Sequence, residues 1–453
     1  MRPHGPSPRP AESASSVAAP IIIDRPGGWL ARGAGQGGAT MDERRAALRI
    51  DAHRLRNRFD ALAEIGATGD GGVHRPALGT DHLRAREWFL AEAGAIGLDT
   101  RVDGAGNQSA TLACGPADAP ALLLGSHLDS VRHGGRFDGA LGVLAALEAL
   151  QVVKDAGVQL DTNLEAIDFT DEEGTHLGFL GSLAVSGAMT ADELRRPGSG
   201  LEAFQAALAD AGLTEASILG ATRDPSMIAG YLELHIEQGS RLNVMTSDIG
   251  VVTAIVGLRR QNVTYVGRAD HAGTISMTDR LDAGQGAAGL MLAARELVMT
   301  DFPDSVVNTG VIAFEPGAMN VVPERARLTL EFRAPVADDL ARLGVALEEM
   351  VRAEARTRNL GVEIDEVDGI QPVQLDPRAQ HALASAADRL GLSHVAMPSG
   401  AGHDAQVMAR ICPAGMIFVP SAGGFSHSAR EFTEWDDCVN GANVLLQAAV
   451  GGL

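Results

Sequence analysis

The chain has 453 residues, 45% of them hydrophobic, with 58 acidic against 37 basic residues and a net charge of −21. That length exceeds one ordinary core and predicts two domains. The acidic balance excludes nucleic acid as a partner, which would need basic patches, and no run of about 18 apolar residues marks a membrane span.

Residues 1–40 are rich in Gly, Ala, Pro and Ser and lack the compact apolar core of a secretory signal. They read as a disordered extension, or as an over-long start ahead of Met41. Apolar residues at helical spacing then predict one helix over 42–63 and another over 80–96. The run 121–124 reads as a strand delivering His127. A helix over 141–153 follows Asp138-Gly139. The strand 164–169 ends at Thr170-Asp171-Glu172-Glu173, and the strand 231–236 carries His235 near its end. Strands alternating with helices predict an α/β sheet covered on both faces, mixed but mainly parallel at its centre.

Near Asp248 the texture changes. Strands over 251–256, 261–266, 306–314 and 327–333, with helices over 280–300 and 336–357, predict an inserted α+β domain of four strands and two helices. From about Gln371 the first texture returns, with a helix over 381–390 and a strand over 416–419 followed by His427. The expected organisation is a discontinuous catalytic domain, 41–248 and 367–453, interrupted by a domain at 249–366. Cys114, Cys412 and Cys438 are widely spaced without a C-x-x-C pair, which fits free thiols in a reducing cytosol and predicts a cytoplasmic protein.

Five clusters carry chemistry: Gly125-Ser126-His127-Leu128-Asp129, Phe137-Asp138-Gly139, Asp171-Glu172-Glu173-Gly174, His235-Ile236-Glu237-Gln238-Gly239 and Phe425-Ser426-His427-Ser428. Imidazole and carboxylate are ligands of zinc and similar divalent ions. Taken singly, each cluster loses to a bland explanation: a hydrogen-bonded histidine, a solvated acidic triplet, a glycine turn. His4, His53, His74, His82, His381 and His394 stay in that class. Taken together, the clusters suit a hydrolytic site with two metals, which needs a bridging carboxylate and one unligated base. Asp138, on a glycine-flanked turn, suits the bridge. His127 and His235 suit one ion, Glu173 and His427 the other, and Glu172 is left for proton transfer. Asp129, two residues after His127, is expected to orient its imidazole.

With Asp270-His271-Ala272-Gly273-Thr274 and Gly400-Ala401-Gly402-His403-Asp404-Ala405 added in order, the chain from Asp42 onward resembles the M20 metallopeptidase-related amidohydrolases. It is most similar to the N-carbamoyl-L-amino acid hydrolase, β-ureidopropionase and allantoate amidohydrolase group. The His-Ile-Glu-Gln-Gly run separates that group from M20 dipeptidases and aminoacylases. The resemblance implies the same metal positions, with Glu172 as general base. It also implies that the inserted domain is a lid that forms a homodimer, with His271 reaching the partner subunit's site to stabilise an oxyanion. Asn320 and Arg333 match lid positions that hold a substrate carboxylate, and Gln238, Gly400 and His403 match substrate-side positions. The expected cofactors are two divalent ions per subunit, of zinc, manganese, cobalt or nickel. The expected substrate is a small carboxylate-bearing molecule, first an N-carbamoyl-L-amino acid. Allantoate-type hydrolysis, an M20 aminoacylase or dipeptidase, and a non-catalytic binding paralogue are the alternatives. The chain departs from the family pattern at Thr175-His176-Leu177-Gly178, at Ser240-Arg241-Leu242-Asn243 and at Ile275-Ser276. These departures bear on the substrate and leave the metal positions intact.

Overall fold

A computed structural model describes residues 40–453. The reading of residues 1–39 lies outside the described residues. The strands, in chain order, are β1 (Asp99–Val102), β2 (Gln108–Leu112), β3 (Ala121–His127), β4 (Asn163–Phe169), β5 (Ile228–Ile236), β6 (Ile249–Ile255), β7 (Gly257–Val266), β8 (Val306–Glu315), β9 (Arg325–Ala334), β10 (Gly361–Ile370), β11 (Val373–Gln374), β12 (His394–Ser399) and β13 (Ala414–Val419). Nine of them form one sheet in the order β1-β2-β4-β3-β5-β13-β6-β11, with β12 also on β6. The central strands β4, β3, β5 and β13 pair in parallel, and the pairs β1–β2, β2–β4, β13–β6 and β6–β11 are antiparallel.

Every residue of β3 is buried, because both faces of the sheet are covered. Successive side chains leave opposite faces. Leu122 and Leu124 therefore pack with the helices Ala140–Ala156, Pro377–Leu390 and Trp435–Gly451, while Leu123 packs with Phe169, Tyr231, Met416 and Phe418 on the other side. Parallel pairing brings the carboxyl ends of the central strands to one edge: His127 lies opposite Phe169, and His235 opposite Phe418. Ligand sites of open α/β sheets form at this edge.

β10, β7, β9 and β8 form a separate antiparallel sheet. The helices Ala283–Asp301 and Ala337–Thr357 cover one of its faces, packing on Val263, Tyr265, Leu328 and Leu330. The strand expected over 251–256 in this sheet is instead β6 of the large one. Its side chains are buried on both faces, Val251 in one core and Val252 and Ile255 in the other, as a strand inside a covered sheet requires. The fourth strand of the small sheet is β10. Its exposed acidic residues and short Val362/Ile364 alternation give it little strand character in sequence. The small sheet therefore spans Gly257–Ile370, and the boundaries at 249 and 366 shift accordingly.

The helix expected over 42–63 is two helices, Met41–Ala47 and Ala52–Ala63. Asp51 breaks them by adopting an extended conformation and accepting hydrogen bonds from His53 N and Arg54 N as an N-cap. The three cysteines are free, and among the described residues no helix is long and apolar enough to cross a membrane.

Candidate metal centre and cleft

The glycine-flanked turn at Asp138 faces the carboxyl ends of β3 and β5. His235 Nε2 stands 3.0 Å from Asp138 Oδ1, and His127 Nε2 stands 3.6 Å from the same oxygen. The ring proton of each histidine is fixed from behind. His127 Nδ1 faces the Asp129 carbonyl at 3.1 Å, and His235 Nδ1 faces the Ile236 carbonyl at 2.9 Å. A carbonyl only accepts, so in each neutral ring the proton sits on Nδ1 and Nε2 presents a lone pair to Asp138. The other oxygen, Asp138 Oδ2, faces His427 Nε2 at 3.5 Å, and that nitrogen is also 3.5 Å from Glu173 Oε2. Asp138 thus joins two donor groups, His127/His235 and Glu173/His427, each with atoms within 4.8 Å of one another. Glu172 belongs to neither group, and its Oε2 lies 3.5 Å from His127 Nε2.

Backbone geometry makes this approach possible. Gly139 has φ +62°, and a Cβ there would sit 2.5 Å from His127 Cε1. Gly139 also opens the helix Ala140–Ala156, and its N–H donates to His235 Nε2 at 3.3 Å. The Glu172-Glu173 pair is held through its main chain: Asp129 Oδ1 accepts from Glu172 N at 3.3 Å and Oδ2 from Glu173 N at 3.2 Å. This revises the part expected for Asp129. Its carboxylate stands 3.6 Å from His127 Nδ1, and the shorter contact comes from its own carbonyl.

The electrostatics fit a cation. His127 Nε2 is buried without a hydrogen-bond partner. Burial pushes the carboxyls of Glu172 and Glu173 well above their ordinary range; neighbouring acids add to this, chiefly Glu173 for Glu172 and Asp138 for Glu173. Burial works against charge on His127, but Glu172, Asp138 and Asp129 outweigh it and hold the imidazole well above its usual pKa. Histidine nitrogens and carboxylate oxygens converging within 4.8 Å of one another are the donor chemistry of a divalent-ion site. A third donor group, Glu233, His235 and His403, is less suited to an ion. Both Glu233 oxygens are already taken, by Ser126 Oγ at 2.7 Å and Ala405 N at 3.0 Å.

The remaining predicted residues divide. Gln238 Nε2 donates to Asp138 Oδ2 at 2.7 Å, so it touches the centre itself. His403 is buried with its ring 4.5 Å from that of His235, and its Nε2 pairs with Ser399 Oγ. Arg333 reaches across from the small sheet: Nη1 donates to the Gly400 carbonyl at 2.7 Å, while Nε and Nη2 donate to Glu331 Oε1 at 3.0 and 2.7 Å. These bonds use three of the five guanidinium donors and leave two for a ligand. Arg333 and His403 line a cavity of about 480 Å³ with Asp138, Glu172, Glu173 and His427. His271 and Asn320 do not line it. Both are exposed at the tip of the small sheet, where His271 lies beside Val321 and Ala272 N donates to the Asn320 carbonyl at 2.9 Å.

Glu431 escaped the sequence reading. It is buried, its Oε1 accepts from Phe137 N at 2.9 Å and Asp138 N at 3.0 Å, and its Oε2 accepts from Ser426 Oγ at 2.8 Å. It therefore ties the Asp138 turn to the segment carrying His427. Gly135 makes room for it, since a Cβ there would lie 2.0 Å from the carboxylate.

Residues 123–450 match the peptidase family M20/M25/M40. The chain is 36% identical over 403 residues to the N-carbamoyl-L-amino-acid amidohydrolase of Paenarthrobacter aurescens, covering 88% of this chain and 97% of that protein. It is 35% identical over 377 residues to the allantoate amidohydrolase of Bacillus subtilis, covering 82% and 90%. Its fold matches the crystal structure of an amidase of the hydantoinase/carbamoylase family from Burkholderia multivorans with TM-score 0.84 and 32% identity, over 89% of this chain and 98% of that one. Members of this family use divalent metal ions. The chain belongs to peptidase family M20/M25/M40 and, within it, to the amidohydrolases that act on C–N bonds other than peptide bonds.

Proposed function

We propose that the protein hydrolyses the ureido C–N bond of an N-carbamoyl-L-amino acid, giving the amino acid, ammonia and carbon dioxide. The observation that carries this reading is Asp138, whose two oxygens face separate donor groups with Glu172 beside them and Arg333 lining the same cavity. His127, Asp138 and His235 would hold one divalent ion, and Asp138, Glu173 and His427 a second, of zinc, manganese, cobalt or nickel. Ions at such a site polarise a carbonyl and lower the pKa of water from about 15.7 toward about 7. Glu172 takes a proton from the attacking water and returns it to the departing nitrogen. The free Arg333 donors pair with the substrate carboxylate. The released carbamic acid falls apart into ammonia and carbon dioxide, so the atoms balance with one water consumed.

The site is completed by a homodimer, in which the small sheet is the lid and His271 of one subunit stabilises the oxyanion in the other. Two features support this. His271 and Asn320 are exposed away from their own cleft. The edge strand β8 also leaves Val311, Ile312 and Phe314 exposed, and the helix Ala283–Asp301 leaves Met291 and Leu292 exposed. The test is ammonia release from N-carbamoyl-L-amino acids and allantoate after loading with each candidate metal. Glu172→Gln should lower kcat by about 10²–10⁴-fold while keeping bound metal, and normal turnover would overturn the assigned base.

A further inference from the structure

The cleft continues past Arg333 into a second chamber of about 470 Å³. Gln238, Val256, Arg333 and Ala401 border both chambers, so the two share one wall of side chains at the guanidinium. The second chamber is walled by Met397 and Pro398 of β12 and Phe418 of β13, with Ser305 and Val306 contributed where β8 begins. Met397 and Phe418 are 6% and 2% exposed, so this lining is fixed by the core behind it. Arg241 and Asp304 stand 3.5 Å apart along the same chamber, and both are more than half exposed.

Resting on the ureidohydrolase reading above, we infer that this second chamber takes the substrate's side chain, and that the substrate is a ureido α-amino acid with a bulky apolar side chain. An α-carbon carries its carboxylate, its ureido nitrogen and its side chain in three divergent directions. With the carboxylate on Arg333 and the ureido group toward Asp138, the remaining substituent has the chamber beyond Arg333 to enter. The chamber's chemistry then selects among substituents. A thioether, a proline ring, a phenyl ring and valine methyl groups match an apolar side chain and offer no hydrogen bonds. Of the polar lining, Arg241 and Asp304 face each other, Glu237 accepts from Arg241 N and Leu242 N, and Gln238 donates to Asp138, which leaves the hydroxyls of Ser240 and Ser305. A second ureido group, as in allantoate, would exchange its water for those two hydroxyls, fewer partners than its donors and acceptors need. Glycine would leave the chamber empty of substrate, and a β-amino acid without a side chain would do the same.

Burial of a leucine-, methionine- or phenylalanine-sized side chain predicts a kcat/KM about 10- to 100-fold above that for N-carbamoylglycine. The experiment measures ammonia release by the metal-loaded enzyme from N-carbamoyl-L-methionine, N-carbamoyl-L-phenylalanine, N-carbamoylglycine and allantoate. The parent and two variants, Val306→Trp and Met397→Gln, are compared. The readout is the ratio of kcat/KM for the bulky substrates to that for glycine, which is independent of the folded fraction. A ratio of about 10 or more that falls at least fivefold in either variant supports the assignment. A ratio near one, a preference for allantoate, or a high ratio untouched by both variants overturns the chamber and leaves the ureidohydrolase reading standing. No ammonia from any of the four compounds overturns both.

Discussion

At the carboxyl edge of the large sheet, most of the groups around Asp138 are restrained from behind, the half-exposed His427 apart. Carbonyls fix the His127 and His235 rings, Asp129 holds the main chain of Glu172 and Glu173, and Glu431 holds that of Asp138. At the tip of the small sheet, His271 and Asn320 stand in solvent, with only short local contacts around them. The difference separates two ways of building a site. The first is pre-organised within one chain by buried hydrogen bonds. The second presents exposed groups with only local contacts. On the proposed function, changes at the first region should act through metal, and changes at the second through assembly.

The largest expected effect is at the shared carboxylate. Asp138→Ala should remove both donor groups together, abolishing detectable turnover and lowering bound metal, measured by elemental analysis after gel filtration. Retention of full metal would break the idea that one residue serves both groups. Next is His271→Ala, which should cost about 10²–10³-fold in kcat, as loss of an oxyanion donor does, with metal content unchanged. Mixing it with Glu172→Gln sharpens the contrast. If His271 acts across a dimer, subunit exchange should restore about a quarter of normal activity, because each mixed dimer regains one intact site. Mixed dimers as inactive as the parents would place His271 in its own subunit's site or outside catalysis. The smallest effect is at Glu431. Glu431→Gln keeps the side chain's volume but weakens its grip on Phe137 N and Asp138 N. It should lower metal affinity by about 10- to 100-fold in a chelator competition, while thermal unfolding of the ion-free protein moves little.

Much of the candidate donor cluster was legible because its residues sit at or just past the ends of apolar runs, where strand periodicity and the carboxyl-edge rule both apply. His127 and His235 lie within the last two positions of β3 and β5. The part played by Asp129 was not legible. It lies beyond the strand, where the two-residue alternation no longer fixes a side chain's direction. Glu431 left no spacing signal, since an acceptor of backbone N–H groups has no preferred partner residue. β6 was misplaced because the chain passes from Ile255 of one sheet to Gly257 of the other with no break in its apolar texture. β10 was missed for the opposite reason, as it is acidic and exposed along most of its length.

Asp129, Asp138, Glu172, Glu173 and Glu431 crowd around the Asp138 turn, and only some of them face counter-charges of their own. That crowding makes metal supply a folding variable. A cation that binds the native chain and not the unfolded one adds about 2.7 kcal/mol of stability per site at a free concentration 100 times its Kd. Chelation should therefore lower Tm by several degrees, and restoring the ion should return it. An unchanged Tm would mean that the acids are relieved by protons alone. In a cell, scarcity of the ion would shorten the lifetime of the polypeptide as well as silence it, so its abundance would follow metal availability without any dedicated sensor.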